Sequence, residues 1–230
     1  MAFDMELETL LRAPEVEQAK YPAKMITLAN GSKMVVREAR REEVPTLLDA
    51  VHPTFKIEKD FYDIVGARLY AELLGWYRYR VRNEYCLVGQ IDGYLVGIVN
   101  GRMMSKDIGI SFHTMAIDRG LRVGLHLFAS KMEHHIEFLG QKEVRIAAES
   151  PIGLRRTRLD YGLEKLEDVQ HELGGATSYL LTRELYFEAK PRLVVGDRPV
   201  PEDLLNNAME RILIPDEKTI NEKIAGVKGR

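Results

Sequence analysis

The chain has 230 residues, 45% of them hydrophobic and 30% charged, with a formal net charge of -2. That is an ordinary globular composition, long enough to bury a sizeable core, and nothing global in it argues for nucleic acid or anionic membrane as a partner. The single cysteine, Cys86, excludes an intrachain disulfide framework, and no apolar run approaches the roughly 18 residues needed to span a bilayer. The acidic start MAFDMELETLL is unlike a secretory signal, so a cytoplasmic protein is expected.

In chain order, residues 1–23 read as an appended arm with a short helical pattern from Glu6 to Leu11, then Pro14 and Pro22. Ile26–Ala29, Asn30-Gly31-Ser32 and Met34–Ala39 read as a β-hairpin, the Asn-Gly pair supplying the positive φ of the turn. Arg41–Val51 reads as a short helix with Val44, Leu47 and Leu48 on one face. A longer helix is expected from Lys59 to Val81, where Phe61, Ile64, Val65, Leu69, Leu73 and Leu74 recur at helical spacing. Its aromatics Tyr70, Trp76, Tyr77 and Tyr79 read either as core packing or as the wall of an acceptor site.

Tyr85–Gln90 and Tyr94–Arg102 form a second hairpin around Asp92-Gly93, with Cys86 as a buried, inert thiol. A strand follows at Ile108–Met115, then a helix at Leu121–Leu139 capped by Gly140. Next come a strand at Val144–Ala148 and a short helix at Leu154–Tyr161 closed by Gly162. Two last strands, near Glu167–Glu172 and Thr177–Leu185, flank Gly174-Gly175. Residues 24–187 thus read as one α+β domain, and 188–230 as a C-terminal helical extension with patterns at Glu202–Leu213 and Lys218–Ile224.

The informative stretch is Met115-Ala116-Ile117-Asp118-Arg119-Gly120-Leu121-Arg122-Val123-Gly124-Leu125. A strand ends, an Arg/Gly turn follows, and a helix begins. The first N–H groups of a helix have no intrahelical partner and carry the positive end of its dipole, and glycine lets a ligand come close to them. Together with Arg119 and Arg122 they suit a phosphate-bearing ligand. An ordinary strand-to-helix connection is the plainer alternative.

From about Met34 to Leu185 the sequence resembles the GNAT superfamily of acyl-CoA-dependent N-acyltransferases. Val35–Ala39 with the helix after it is similar to that family's first strand and helix, and Cys86–Met103 to its second and third strands. Met115–Leu127 is similar to its coenzyme-A motif, Gln/Arg-x-x-Gly-x-Gly/Ala, and Ser150–Leu163 to the short helix that ends in Gly-Phe. The resemblance implies a mixed, mostly antiparallel central sheet flanked by helices. It also implies direct transfer of an acyl group, acetyl above all, from coenzyme A to a small-molecule amine, with no metal, and a homodimer. Two departures stand out. Arg122 occupies the place of the family's first glycine, where it can crowd a pyrophosphate or donate to it. Arg158 stands where the family often has a tyrosine that protonates the departing thiolate, while Tyr161 lies three residues on.

On this reading Met115, Ala116, Ile117, Arg119, Gly120, Leu121, Arg122, Val123, Gly124 and Arg158 are the coenzyme-binding candidates. A backbone N–H near Met115–Ile117 would polarise the thioester carbonyl. His113 is the first candidate base, because it precedes Met115 by two on a strand and titrates near neutral pH. Glu149 and Tyr161 are the other catalytic candidates. Arg155, Arg156 and Arg158 form a basic run, read as a contact to the coenzyme's 3′-phosphate or to an acidic acceptor, or as a solvated helix face. The alternative function is a GNAT-like domain that binds a metabolite or a protein without turnover.

Overall fold

The computed structural model describes residues 5–148, 150–170 and 177–225. Eight strands form one sheet: β1 (Lys24–Thr27), β2 (Lys33–Glu38), β3 (Glu84–Ile91), β4 (Tyr94–Met103), β5 (Ile108–Ala116), β6 (Glu143–Ala148), β7 (Lys165–Gln170) and β8 (Thr177–Thr182). The spatial order is β1-β2-β3-β4-β5-β6-β8-β7. Neighbours run antiparallel except β5 and β6, which are parallel. The turn glycines act as their sequence context requires: Gly31 has φ +86, and Asp92 and Gly93 have φ 50 and 80, the double positive φ of a tight two-residue hairpin.

The helices are α1 (Met5–Leu10), α2 (Val44–Val51), α3 (Tyr62–Tyr77), α4 (Val123–Glu133), α5 (Pro151–Leu159), α6 (Arg183–Leu193), α7 (Glu202–Glu210) and α8 (Glu217–Ala225). Strands β3 and β4 are almost wholly buried, as expected when helices cover both faces of a sheet. On one face Val44, Leu47, Leu69, Leu73 and Trp76 pack with Cys86, Ile98 and Met115 of the strands and with Ile220 and Ile224 of α8. On the other, Val123 and Leu127 of α4 meet Ile26, Met34, Tyr85 and Val99. Further along that helix Phe128 and Met132 meet Val144, Leu181 and Tyr186.

Among the element boundaries that differ from the sequence expectation, two have a clear local cause. The helix expected at 59–81 spans only Tyr62–Tyr77, because Asp60, Phe61 and Tyr79 adopt positive φ of 54, 61 and 56. The strand expected to reach Leu185 stops at Thr182, whose Oγ1 accepts the Leu185 N–H at 3.3 Å and so caps α6. The apolar run through Tyr179–Leu181 continues into Leu185-Tyr186-Phe187 and hides that cap. The expected Gly174-Gly175 turn lies outside the described residues.

Residues far apart in sequence meet at Glu133, which is 4% exposed. It accepts hydrogen bonds from Tyr21 of the arm (2.6 Å), Lys24 of β1 (2.8 Å) and both terminal nitrogens of Arg198 (2.9 and 3.1 Å). Burial pushes its carboxyl up, but Arg198, Lys24 and Tyr21 together outweigh burial and hold it down at about 2. The next two residues, His134 and His135, form a π-helical turn and are fully buried. His134 packs edge-on against Tyr85, with ring centroids 4.4 Å apart, and the His135 Nδ1 lies 2.5 Å from Gln141 Oε1. Burial pushes each imidazole down to about 3.

These groups make the fold sensitive to acid. Between about pH 6.5 and 3 the unfolded chain binds protons at both histidines that the folded chain refuses, so stability falls as pH falls. Below about pH 4.5 the unfolded Glu133 begins to bind a proton as well, which adds to the loss as pH approaches 2. Urea unfolding between pH 7 and 4.5 is expected to lose on the order of 1–3 kcal/mol per pH unit below 6.5. His134→Phe should roughly halve that slope, and a stability curve flat from pH 7 to 5 would contradict this assignment. Glu133→Gln, which leaves Lys24 buried without its carboxylate, should cost about 3 kcal/mol at pH 7.

Candidate functional site

The parallel pairing of β5 with β6 runs from Ile108–Glu143 to Ser111–Ile146 and stops there. On its other edge β5 stays paired with β4 as far as Gly97–Ala116. The segment Phe112–Ala116 therefore has one bonded edge and one edge that parts from β6. A cleft of about 310 Å³ opens at this parting. Its walls are Tyr62 and Val65 of α3, Phe112, His113, Thr114 and Ala116 of β5, Asp118, Arg119, Gly120 and Arg122 of the turn, and Val123, Gly124 and Phe128 of α4. Ile146, Ala147, Ser150, Ile152 and Gly153 close the far side.

A β-bulge shapes the near wall. Val99 pairs with Thr114 and Gly101 with Ser111, so Asn100 alone faces both Phe112 and His113. Two residues between Ser111 and Thr114 keep those two on the α4 face and place Phe112 and His113 together on the α3 face, which Met115 shares. The two rings stack accordingly, with centroids 6.1 Å apart. The His113 N–H donates to Asn100 Oδ1 at 3.0 Å, and Asn100 Nδ2 donates to Glu84 Oε1 at 2.9 Å. Burial, with the nearby Glu72 carboxylate, pushes the Glu84 carboxyl up to about 8.

Backbone direction narrows which N–H groups face the cleft. Those of Ile117 and Asp118 both donate to Val96 O, at 2.9 and 3.0 Å. With His113 N–H also turned toward β4, strand alternation leaves Thr114 and Ala116 presenting theirs on the open edge. Ile117 therefore does not serve as the carbonyl-polarising donor expected between Met115 and Ile117, and Ala116 is the residue of that stretch that can.

At the mouth of the cleft the chain turns into α4. Gly120 has φ 101, and Arg122, the N-cap, has φ 60 and makes no capping bond through its side chain. The arginine in the glycine position thus keeps the left-handed backbone that glycine favours, with its side chain exposed. Arg119 is engaged within the protein. Its guanidinium meets Asp60 Oδ2 at 2.7 Å, donates to Ile224 O at 3.2 Å, and lies over the Tyr62 ring. Lys223 reaches Asp118 at 2.7 Å, and Lys59 caps α8 through Ala225 O at 2.8 Å. The C-terminal helix therefore grips the turn from both sides.

The expected residues divide. His113, Ala116, Arg119, Gly120, Arg122, Val123 and Gly124 line the cleft. Met115 and Ile117 are buried between the sheet and α3, and Leu121 packs against the core under α4. Tyr161 is buried 5.6 Å from the Phe128 ring, in the core between α4 and β8, and is not among the cleft's walls. Arg158 and Arg155 are exposed and also stand apart from it. Glu149 lies outside the described residues. Of the aromatic cluster on α3, Trp76 is core, with Tyr70 and Tyr77 packed against it. Among the described residues no group of three or more His, Cys, Asp or Glu is placed to hold a metal ion. Sequence reasoning missed Tyr62, whose hydroxyl donates to Ala116 O at 2.7 Å, and Lys131, whose ammonium reaches the parting edge of β5. Their only sequence signal is helical phase, which places them on the inner face of a helix without saying what they meet.

Among solved structures the chain is similar to the apo form of FdhC, described as a nucleotide-linked sugar GNAT. The identity is 10%, over 78% of this chain and 100% of that one, with a TM-score of 0.50. It is similar also to an uncharacterized protein, bh2621, from Bacillus halodurans, at 10% identity over 84% of this chain and 100% of that one, with a TM-score of 0.53. At such identity the likeness is one of fold: a mostly antiparallel GNAT sheet with helices on both faces. No protein-family model matches the chain, and no curated protein matches it.

Two substitutions test the turn. Arg122→Gly removes a left-handed non-glycine residue and should be neutral or stabilising by up to about 1 kcal/mol in thermal unfolding. A loss above that size would show that the arginine side chain holds the turn. Arg119→Ala should raise amide exchange across 217–225 by releasing Ile224 O; unchanged exchange there would mean that α8 is held by its apolar face alone.

Proposed function

We propose that this chain, with its GNAT fold, is an acyl-CoA-dependent N-acyltransferase that moves an acetyl group to a primary amine of a small molecule by direct attack. The observation that carries the proposal is a single cleft in which the free edge of β5 meets the uncapped start of α4. Two uncapped N–H groups, the positive helix end and Arg122 suit a pyrophosphate, and an open strand edge suits an extended amide-bearing arm. Val123, Gly124 and Arg122 would hold the phosphates of coenzyme A, and the edge at Thr114 and Ala116 its amides. The coenzyme supplies the acyl group as an activated thioester.

The chain's own part is placement and charge. The Ala116 N–H is the donor for the carbonyl oxygen. The phenol of Tyr62, held on Ala116 O, and the side chain of Val65 form the wall opposite α4, on the side where the amine would enter. His113, on that same face, is the group to accept the amine's proton. With Tyr161 packed into the core and Arg158 exposed, no tyrosine is assigned to protonate the departing thiolate.

A second reading, binding without turnover, draws support from one observation: Arg158 is exposed and Tyr161 is packed into the core, so neither position offers a tyrosine acid for the departing thiolate. Calorimetry with coenzyme A and acetyl-coenzyme A, followed by a thiol-release assay across a panel of primary amines, separates the two. Binding with turnover supports the transferase, binding without turnover for any amine supports the second reading, and no heat with either thioester or thiol sinks the transferase and the metabolite-binding form of the second reading. In an active enzyme His113→Gln should lower kcat/KM by roughly 10²–10⁴ while leaving coenzyme binding within about threefold.

A further inference from the structure

Lys131 lies on α4 and is fully buried. Its ammonium donates to Phe112 O (3.3 Å), His113 O (2.9 Å) and Thr114 Oγ1 (3.3 Å), and sits 5.4 Å from the centre of the Phe128 ring. Those backbone oxygens belong to the first residues of β5 beyond its last pair with β6. A side chain therefore takes over as hydrogen-bond partner where a strand stops being one. On the opposite edge Asn100, also fully buried, takes the N–H of His113. One residue is thus held from both sides: its N–H by an amide and its C=O by an ammonium.

Sinking an ammonium into a core is costly, and a methionine would fill much the same path without that cost. What methionine could not do is donate to two backbone carbonyls that lie beyond the last pair with β6. Removing that donor takes one buried hydrogen bond from each carbonyl, and replacing it would move the wall of the cleft.

We propose that Lys131 is a positioning residue of the cleft: its ammonium stands in for β6, holds the two strands apart, and with Asn100 fixes the bulge that sets Phe112 and His113 on the wall. This rests on the reading of the cleft as an acyl-transfer site, but the wedge itself can be tested apart from activity. Lys131→Met should remain folded by circular dichroism and bind coenzyme A within about threefold of the parent. Its kcat should fall about 10- to 100-fold with KM for the thioester little changed, since misplacement by about 1 Å costs that order of rate. Lys131→Gln, which keeps a donor, should recover part of the loss.

Nuclear magnetic resonance gives the independent arm. In the unsubstituted protein the Lys131 Nζ should give a protected, slowly exchanging signal. Lys131→Met should shift the backbone carbonyl signals of Phe112 and His113 and lower amide protection across 112–116. Unchanged signals there, or a parental kcat in folded Lys131→Met, overturn the proposal. If the parent shows no turnover at all, the transferase reading fails while the signals of residues 112–116 still judge the wedge. If Lys131→Met does not fold, the Nζ signal of the parent and the folded Lys131→Gln decide, and an Nζ that exchanges as fast as a surface lysine overturns the proposal.

Discussion

The site depends on one constraint: two parallel strands, β5 and β6, hydrogen-bond for only part of their length. A backbone edge inside a protein is expensive to leave open, because every buried N–H and C=O needs a partner. The molecule meets that demand piecemeal. Lys131 takes the carbonyls of Phe112 and His113, the Tyr62 hydroxyl takes the carbonyl of Ala116, and Asn100 takes the N–H displaced by the bulge. What these side chains leave on the open edge are the N–H groups of Thr114 and Ala116. The cleft is therefore a strand edge whose remaining donors are fixed by which carbonyls and amides are already engaged.

Helix α4 carries both the mouth of that cleft and one of its walls, so its position matters more than that of any other helix. It is held at each end by residues far from it in sequence. Glu133, in its last turn, gathers Tyr21 of the arm, Lys24 of the first strand and Arg198 of the C-terminal segment. The turn before its first residue is held by α8 through Arg119 and Lys223. A buried carboxylate that meets two cations and a phenol is costly to desolvate and still more costly to break, so it specifies one arrangement of these segments. The arm and the extension thus act as clamps on the helix that faces the ligand.

Much of the fold was legible because its signals are local. The Asn-Gly and Asp-Gly turns, the alternating or fully apolar strands and the order of elements around 115–124 each follow from a few neighbouring residues, and the sheet forms as those signals require. The site was legible in part. The turn and start of α4 line the cleft, as their glycines and arginines suggest. Lys131 and Tyr62 were illegible because their roles are set by a strand edge far away in sequence. The positive φ at Asp60 and Phe61, which starts α3 three residues late and brings Tyr62 to the cleft, has no glycine to announce it. The cap at Thr182 was visible but was outweighed by an apolar run that crosses it.

The two arginines of the turn show why a motif alone does not settle a role. In sequence Arg119 and Arg122 both read as cations of a glycine-containing turn at the start of a helix. In the fold they diverge. Arg119 is drawn inward by Asp60, the Ile224 carbonyl and the Tyr62 ring, at 13% side-chain exposure. Arg122 sits in the left-handed conformation with its side chain outward, which leaves the backbone of the turn shaped as glycine would shape it. The residue that looked most disruptive in sequence therefore holds a backbone conformation that glycine also favours and adds an exposed cation beside the site. The arginine that looked like an obvious phosphate ligand instead joins the turn to the C-terminal helix, so an anion that recruited Arg119 would have to compete with Asp60 and with the carbonyl end of α8.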